Sequence, residues 1–212
     1  MSLKEMLLTL PTYSKELGLE LKKAEDRFKW FLASILFAKR ISSEIAKRTY
    51  KQFEKEGITP PEQILEAGCD KLVEVLDSGG YVRYDFSTAS KLLEVMKNLK
   101  QRYSSLENLY AQAKDSQDLE KKLLEFKGIG PITVNIFLRE LKPVWEKANP
   151  LLSPLAKEMA LRLPLEEEEL LVPHLESSLV RLNLEFCKRK RCLECPVKGV
   201  CREPKSVRKG KL

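Results

Sequence analysis

Residues 118–141 read DLEKKLLEFKGIGPITVNIFLREL. Leu119, Leu123 and Leu124 are spaced to line one side of a helix that stops at Lys127. Val134, Phe137, Leu138 and Leu141 do the same for a second helix that begins near Ile132. Between them, Gly128-Ile129-Gly130-Pro131 spells a tight turn. Glycine permits positive φ and close backbone approach, and the exposed amides at the start of the second helix can hold a phosphate without reading sequence. These are the features of a helix-hairpin-helix, although a plain turn between two helices would use the same residues.

Outward from this segment, apolar residues recur every three or four positions near 24–38, 43–56, 61–76, 86–102, 118–126, 132–141, 153–162 and 173–186. No stretch alternates as a strand would, so an all-α fold is expected. Gly57 to Pro61, Gly79-Gly80, Gly128 to Pro131, Pro143 and Pro150 divide the helices. Glu166 to Glu169 reads as a solvated helix start, where acidic side chains meet the positive end of the dipole. His174, the only histidine, has no evident metal partner in the sequence, and Cys69 reads as apolar filler.

A chain of 212 residues can bury one generous core or two small ones. Its 43% hydrophobic and 33% charged residues describe a globular protein. The longest apolar stretch, Phe28 to Ala38, is interrupted by Lys29 and falls short of the roughly 20 residues a bilayer requires. The opening MSLKEMLLTLP lacks signal-peptide organisation, so a cytoplasmic location is expected, at the nucleoid in a prokaryotic cell. The net charge of +7 is uneven: residues 187–212 carry a local +8 and leave −1 for the rest. A basic terminus on a near-neutral body suits a polyanion, or serves as a solubilising tail.

Cys187, Cys192, Cys195 and Cys201 fall within CKRKRCLECPVKGVC. With no secretory signal, metal ligation is favoured over disulfides. Intervals of four, two and five residues lack the paired knuckles of a zinc ribbon and suit a [4Fe–4S] cluster, with zinc or disulfides as the alternatives.

An apolar helix, then a helix-hairpin-helix, then four cysteines is an order that resembles endonuclease III and its HhH-GPD DNA glycosylase relatives. FKWFLASILFAK at 28–39 looks like the family's early buried helix, and FKGIGPITVNIFL resembles its hairpin. The resemblance implies a two-lobed helical glycosylase fold with a C-terminal cluster loop. Residues 27–144 would form a helical barrel containing the hairpin at 118–141, and 1–26 with 145–212 a discontinuous cluster domain. It further implies a monomer that binds double-stranded DNA containing a damaged or mispaired base. Lys127, Gly128 and Gly130 would hold phosphate, as would the basic loop Lys188, Arg189, Lys190 and Arg191. Lys39 would fill the gap left by a flipped base, and Tyr81, Val82 and Tyr84 are wedge candidates whose alternative is core packing.

Three departures qualify this resemblance. Four residues, where the family commonly has six, separate the first two cysteines. Ile132 stands where bifunctional members carry the nucleophilic lysine, and it cannot form a Schiff base. Asn149 stands at or beside the family's catalytic aspartate; locally, Asn149-Pro150 reads as the cap and first residue of a helix. The expected activity is therefore base removal by a monofunctional DNA N-glycosylase without a lysine-dependent lyase. A catalytically silent lesion- or structure-binding protein is the alternative.

Overall fold

The computed structural model describes residues 2–202, so Glu203, Lys205, Arg208, Lys209 and Lys211 of the basic terminus lie outside the described residues. Regular structure among the described residues is entirely helical. The helices are α1 (Leu3–Leu8), α2 (Tyr13–Glu16), α3 (Ala24–Phe37), α4 (Ser43–Lys55), α5 (Pro61–Ser78), α6 (Asp85–Tyr103), α7 (Leu106–Gln112), α8 (Ser116–Leu124), α9 (Pro131–Leu141), α10 (Pro154–Arg162) and α11 (Leu175–Leu182). Two 3-10 turns, Glu167–Leu171 and Cys192–Glu194, and a π turn, Asn183–Cys187, complete the set. None of these helices is long and apolar enough to cross a membrane.

Short-range chemistry places the helix starts. The side chains of Ser42, Ser105, Asp115 and Ser153 accept from the amides of Ile45, Asn108, Asp118 and Ala156 at 3.2, 3.1, 2.8 and 3.3 Å. Each satisfies one of the donors that a helix start leaves without an intrahelical partner. Glu166 and Glu169 cap the first 3-10 turn reciprocally, in keeping with the expected solvated start. Helix α10 begins at Pro154 under the Ser153 cap, which corrects the expected Asn149-Pro150 start. Periodicity passed over α1, α2 and α7, whose six, four and seven residues are too few to establish a pattern. Helix α5 is two helical pieces meeting at Gly68, with half-buried Cys69 just beyond.

The chain divides into two compact units, Ser14–Pro150 and Met1–Tyr13 with Leu151–Leu212. In the first, α3 packs against α4 and α9, and α5 against α6. Trp30, Leu32 and Leu36 of α3 are fully buried, and Phe31 meets Phe137 edge-on at 5.1 Å. Arg27 ties α3 to α7 by two bonds to Glu107, 2.7 and 2.9 Å long, and donates also to the carbonyls of Leu21 and Lys22. That fork matches the carboxylate and leaves little of the buried guanidinium unsatisfied.

The second unit packs α1, α10 and α11 around Leu7, Ala156, Met159, Leu163, Leu175 and Leu179. Cys195 belongs to this apolar cluster, and Cys187 and Cys201 pack against it. The Cys187 Sγ lies 3.6 Å from the Met159 Sδ. Burial raises the Cys187 and Cys195 thiols, with neighbouring thiols adding to the effect.

The expected glycosylase architecture with a [4Fe–4S] cluster loop is accordingly corrected to an all-α fold without that centre. Among the described residues, no group of three or more His, Cys, Asp or Glu is placed to hold a metal ion. Zinc is overturned by the same observation. Disulfides are absent too: Cys187, Cys192, Cys195 and Cys201 are all free. Sequence spacing fixes the lengths of the loops between cysteines but does not make four side chains converge.

Candidate nucleic-acid interface

The turn between α8 and α9 is built from alternating anchors and open positions. Phe126 and Ile129 are buried, and the Ile129 amide donates to the Phe126 carbonyl at 2.9 Å. Lys127, Gly128 and the first residues of α9 face outward between and beyond these anchors. Gly128 adopts φ 90°, in the left-handed region that costs an ordinary side chain. Gly130 precedes Pro131 as a helix cap without a side-chain bond, which leaves the starting amides of α9 uncapped by protein side chains. The Lys127 side chain is 82% exposed, and its Nζ lies 3.6 Å from a Glu94 carboxylate. Ile132, at the position expected to lack an amine, is 66% exposed on the first turn of α9.

A lysine without a recognisable sequence signal lies against this turn. A Cβ added at Gly128 would stand 2.4 Å from Cε and 2.9 Å from Cγ of Lys91, so the glycine makes room for that side chain. Burial, reinforced by the charge of Lys39, brings the Lys91 amine down to about 8. Lys39 follows α3, half-buried, with its Nζ 5.3 Å from the Tyr84 ring; the Arg83 guanidinium is 5.4 Å from the same ring. Nothing in the pattern ASKLLEVMK separates Lys91 from an ordinary helix-surface lysine, because its neighbours come from residues 52 and 37 positions away.

This environment has a pH signature. The Lys91 side chain runs along the Gly128 turn, and its amine feels burial first and then the charge of Lys39. Between about 8 and the ordinary value of 10.5, Lys91 binds fewer protons in the folded chain than in the unfolded one. It therefore subtracts stability in full below about pH 8, and the cost fades as pH rises through that window. Lys91→Met should raise the urea midpoint at neutral pH and remove this alkaline rise. Urea titrations at a series of pH values check it, and an unchanged profile would refute the assignment.

The remaining predicted residues divide. Tyr81 is core: it is 1% exposed and its hydroxyl donates to the Leu36 carbonyl at 2.8 Å, which corrects its assignment as a wedge. Val82 and Phe86 are 62% and 64% exposed, and sequence reasoning had passed over Phe86 and Arg83. Asn149 is exposed in an irregular segment, its amide donating to the Lys147 carbonyl at 3.1 Å. Lys188, Arg189, Lys190 and Arg191 are all exposed, in a turn closed by bonds from the Lys188 and Arg191 amides to the Asn183 and Phe186 carbonyls. Within that turn Arg191 pairs with Glu194, and this partner holds the Glu194 carboxyl below its ordinary range.

No protein-family model matches this sequence, and no curated protein matches it. Together with the missing metal centre, this overturns the resemblance to endonuclease III and to the iron–sulfur HhH-GPD proteins. The helical hairpin stands on its own geometry.

Proposed function

We propose that this chain binds double-stranded DNA and acts in base-excision repair as a monofunctional DNA N-glycosylase, hydrolysing the bond between a damaged or mispaired base and its sugar. The observation that carries this reading is the 126–131 turn, with its outward Lys127, left-handed Gly128 and uncapped start of α9. Such a surface grips phosphates without regard to sequence. Exposed Ile132, on the first turn of α9, offers hydrocarbon and no amine, so base loss proceeds by water rather than through a covalent adduct at that residue. The basic turn at 188–191 is a second set of exposed positive charges suited to a polyanion. The protein works as a monomer in the cytoplasm, at the nucleoid if the cell is prokaryotic.

A second reading, a catalytically silent binder of lesions or unusual DNA structures, is favoured by Asn149. This amide is exposed, and being neutral it can neither take a proton from water nor offer a charge to an oxocarbenium-like sugar. Duplexes carrying uracil, oxidised, alkylated or mismatched bases separate the two. The protein is incubated with each and treated with alkali to reveal abasic sites, with a parallel borohydride arm. Alkali-dependent breaks on one lesion class, without an adduct at Ile132, are expected of the glycosylase. Tight binding without breaks selects the silent binder, and failure to bind duplex at low salt ends both readings.

A further inference from the structure

Residues 79–86, GGYVRYDF, lead from α5 into α6 through a turn that the fold fastens at several points. The Arg48 Nε donates to the Gly79 carbonyl at 2.7 Å, and the Tyr81 hydroxyl donates to the Leu36 carbonyl at 2.8 Å. The Tyr81 and Tyr84 amides donate to the Leu76 and Tyr81 carbonyls, both at 3.0 Å. On this fixed turn Val82 and Phe86 are exposed, and Phe86 is the one exposed aromatic side chain among the described residues. Its ring carries a large apolar surface and no polar handle. The charges beside it are cationic: the Lys39 Nζ lies 5.3 Å and the Arg83 guanidinium 5.4 Å from the Tyr84 ring centre. The one carboxylate within the turn, Asp85, accepts from the Phe86 amide at 2.6 Å.

An aromatic face among cations fits a ligand that combines a flat π surface with negative charge. Each partner in a stable protein interface gives up about 800 Å², far more apolar surface than two side chains supply, whereas a single phenyl ring is matched by a single base. We propose that Phe86 is a stacking surface for an unpaired nucleobase, with Val82 adding apolar surface on the same turn and Arg83 and Lys39 drawing the adjoining phosphates. This rests on the DNA reading and narrows its substrate to DNA that presents an unpaired base. A base inside a fully paired duplex has both faces covered by its neighbours, so only an unpaired one gains a partner from the ring without first being unstacked.

The test uses the intact protein and three labelled probes: a paired duplex, the same duplex with one bulged thymine, and a thymine single strand. Fluorescence anisotropy should show the bulged duplex and the single strand bound more tightly than the paired duplex. Phe86→Ala should weaken binding to the bulged duplex by about tenfold, the scale of one lost base stack, and leave the paired duplex nearly unaffected. Phe86→Leu, apolar but without a π face, should lose most of the same preference. Phe86→Trp should keep it, with quenching of the added indole fluorescence by the bulged probe. Unchanged urea midpoints show that these exposed substitutions leave the fold intact. Equal affinity of the original protein for paired and bulged duplex would overturn the stacking site and leave DNA binding standing, as would a preference that survives Phe86→Ala. Full retention by Phe86→Leu would make the face a purely apolar contact and overturn base stacking. A concentration-dependent dimer abolished by Phe86→Ala would assign the face to a second copy and overturn the proposal. Failure to bind any of the three probes at low salt would overturn the DNA reading itself.

Discussion

Trp30→Ala should cost the Ser14–Pro150 unit about 3–5 kcal/mol, the scale of deleting a fully buried aromatic ring. Trp30 is 0% exposed, 6.0 Å from the Phe37 ring, and its indole N–H donates to the Phe137 carbonyl at 3.2 Å. The cavity left behind would lie between α3 and α9, where Phe31 and Phe137 already interlock and have little freedom to fill it. The hydrogen bond is the smaller part. Trp30→Phe, which keeps a ring and loses the donor, should recover more than half of the loss. Chemical denaturation followed by the fluorescence of Trp145, the chain's other tryptophan, measures both variants. Trp145 is stacked on Tyr110 at 4.4 Å within the same unit, so it reports the same transition. A loss under about 1 kcal/mol for Trp30→Ala would mean that this core is not close-packed around α3.

Gly79→Ala should destabilise by about 2–3 kcal/mol, at the upper end of ordinary overpacking. Backbone propensity alone argues the opposite. Gly79 has φ −77° and ψ −13° at the end of α5, where alanine fits and would gain up to about 1 kcal/mol. The neighbour decides the sign: an added Cβ would sit 2.4 Å from the Cα of Thr49 and 2.7 Å from its Cβ. Thr49 is fully buried in α4, so the clash is with backbone that can move only if the helix moves. Gly130→Ala is the matched control, because a Cβ there meets nothing within 4 Å and its φ of −111° is ordinary. Urea midpoints should fall sharply for the first variant and scarcely move for the second. Equal, small effects would show that α4 can back away from α5 without loss.

The helical character of the chain was legible because its causes are local. Apolar spacing at three and four residues marks each longer helix, and serines or an aspartate at the caps bond to amides only three positions on. The turn at Gly128 belongs to the same class, since a left-handed residue followed by a proline start is written in adjacent positions. The four cysteines misled for the complementary reason. Their spacing was read as a ligand set, but whether thiols converge on a metal or pack among Met159 and Val197 depends on how α10 and α11 fold over them.

By itself, then, the sequence determined an all-α chain, most of its helix limits and the exposed hairpin. All of these follow from interactions spanning a few residues, whose energies are set before any tertiary contact forms. Tertiary structure alone decided that Tyr81 is core, bonded to Leu36 across 45 residues, and that Gly79 is a point of helix contact rather than only a breaker. It alone placed Lys91 against Gly128. Burial and charge at those positions are set by partners distant along the chain, and a side chain's identity does not specify which partners the fold will bring to it.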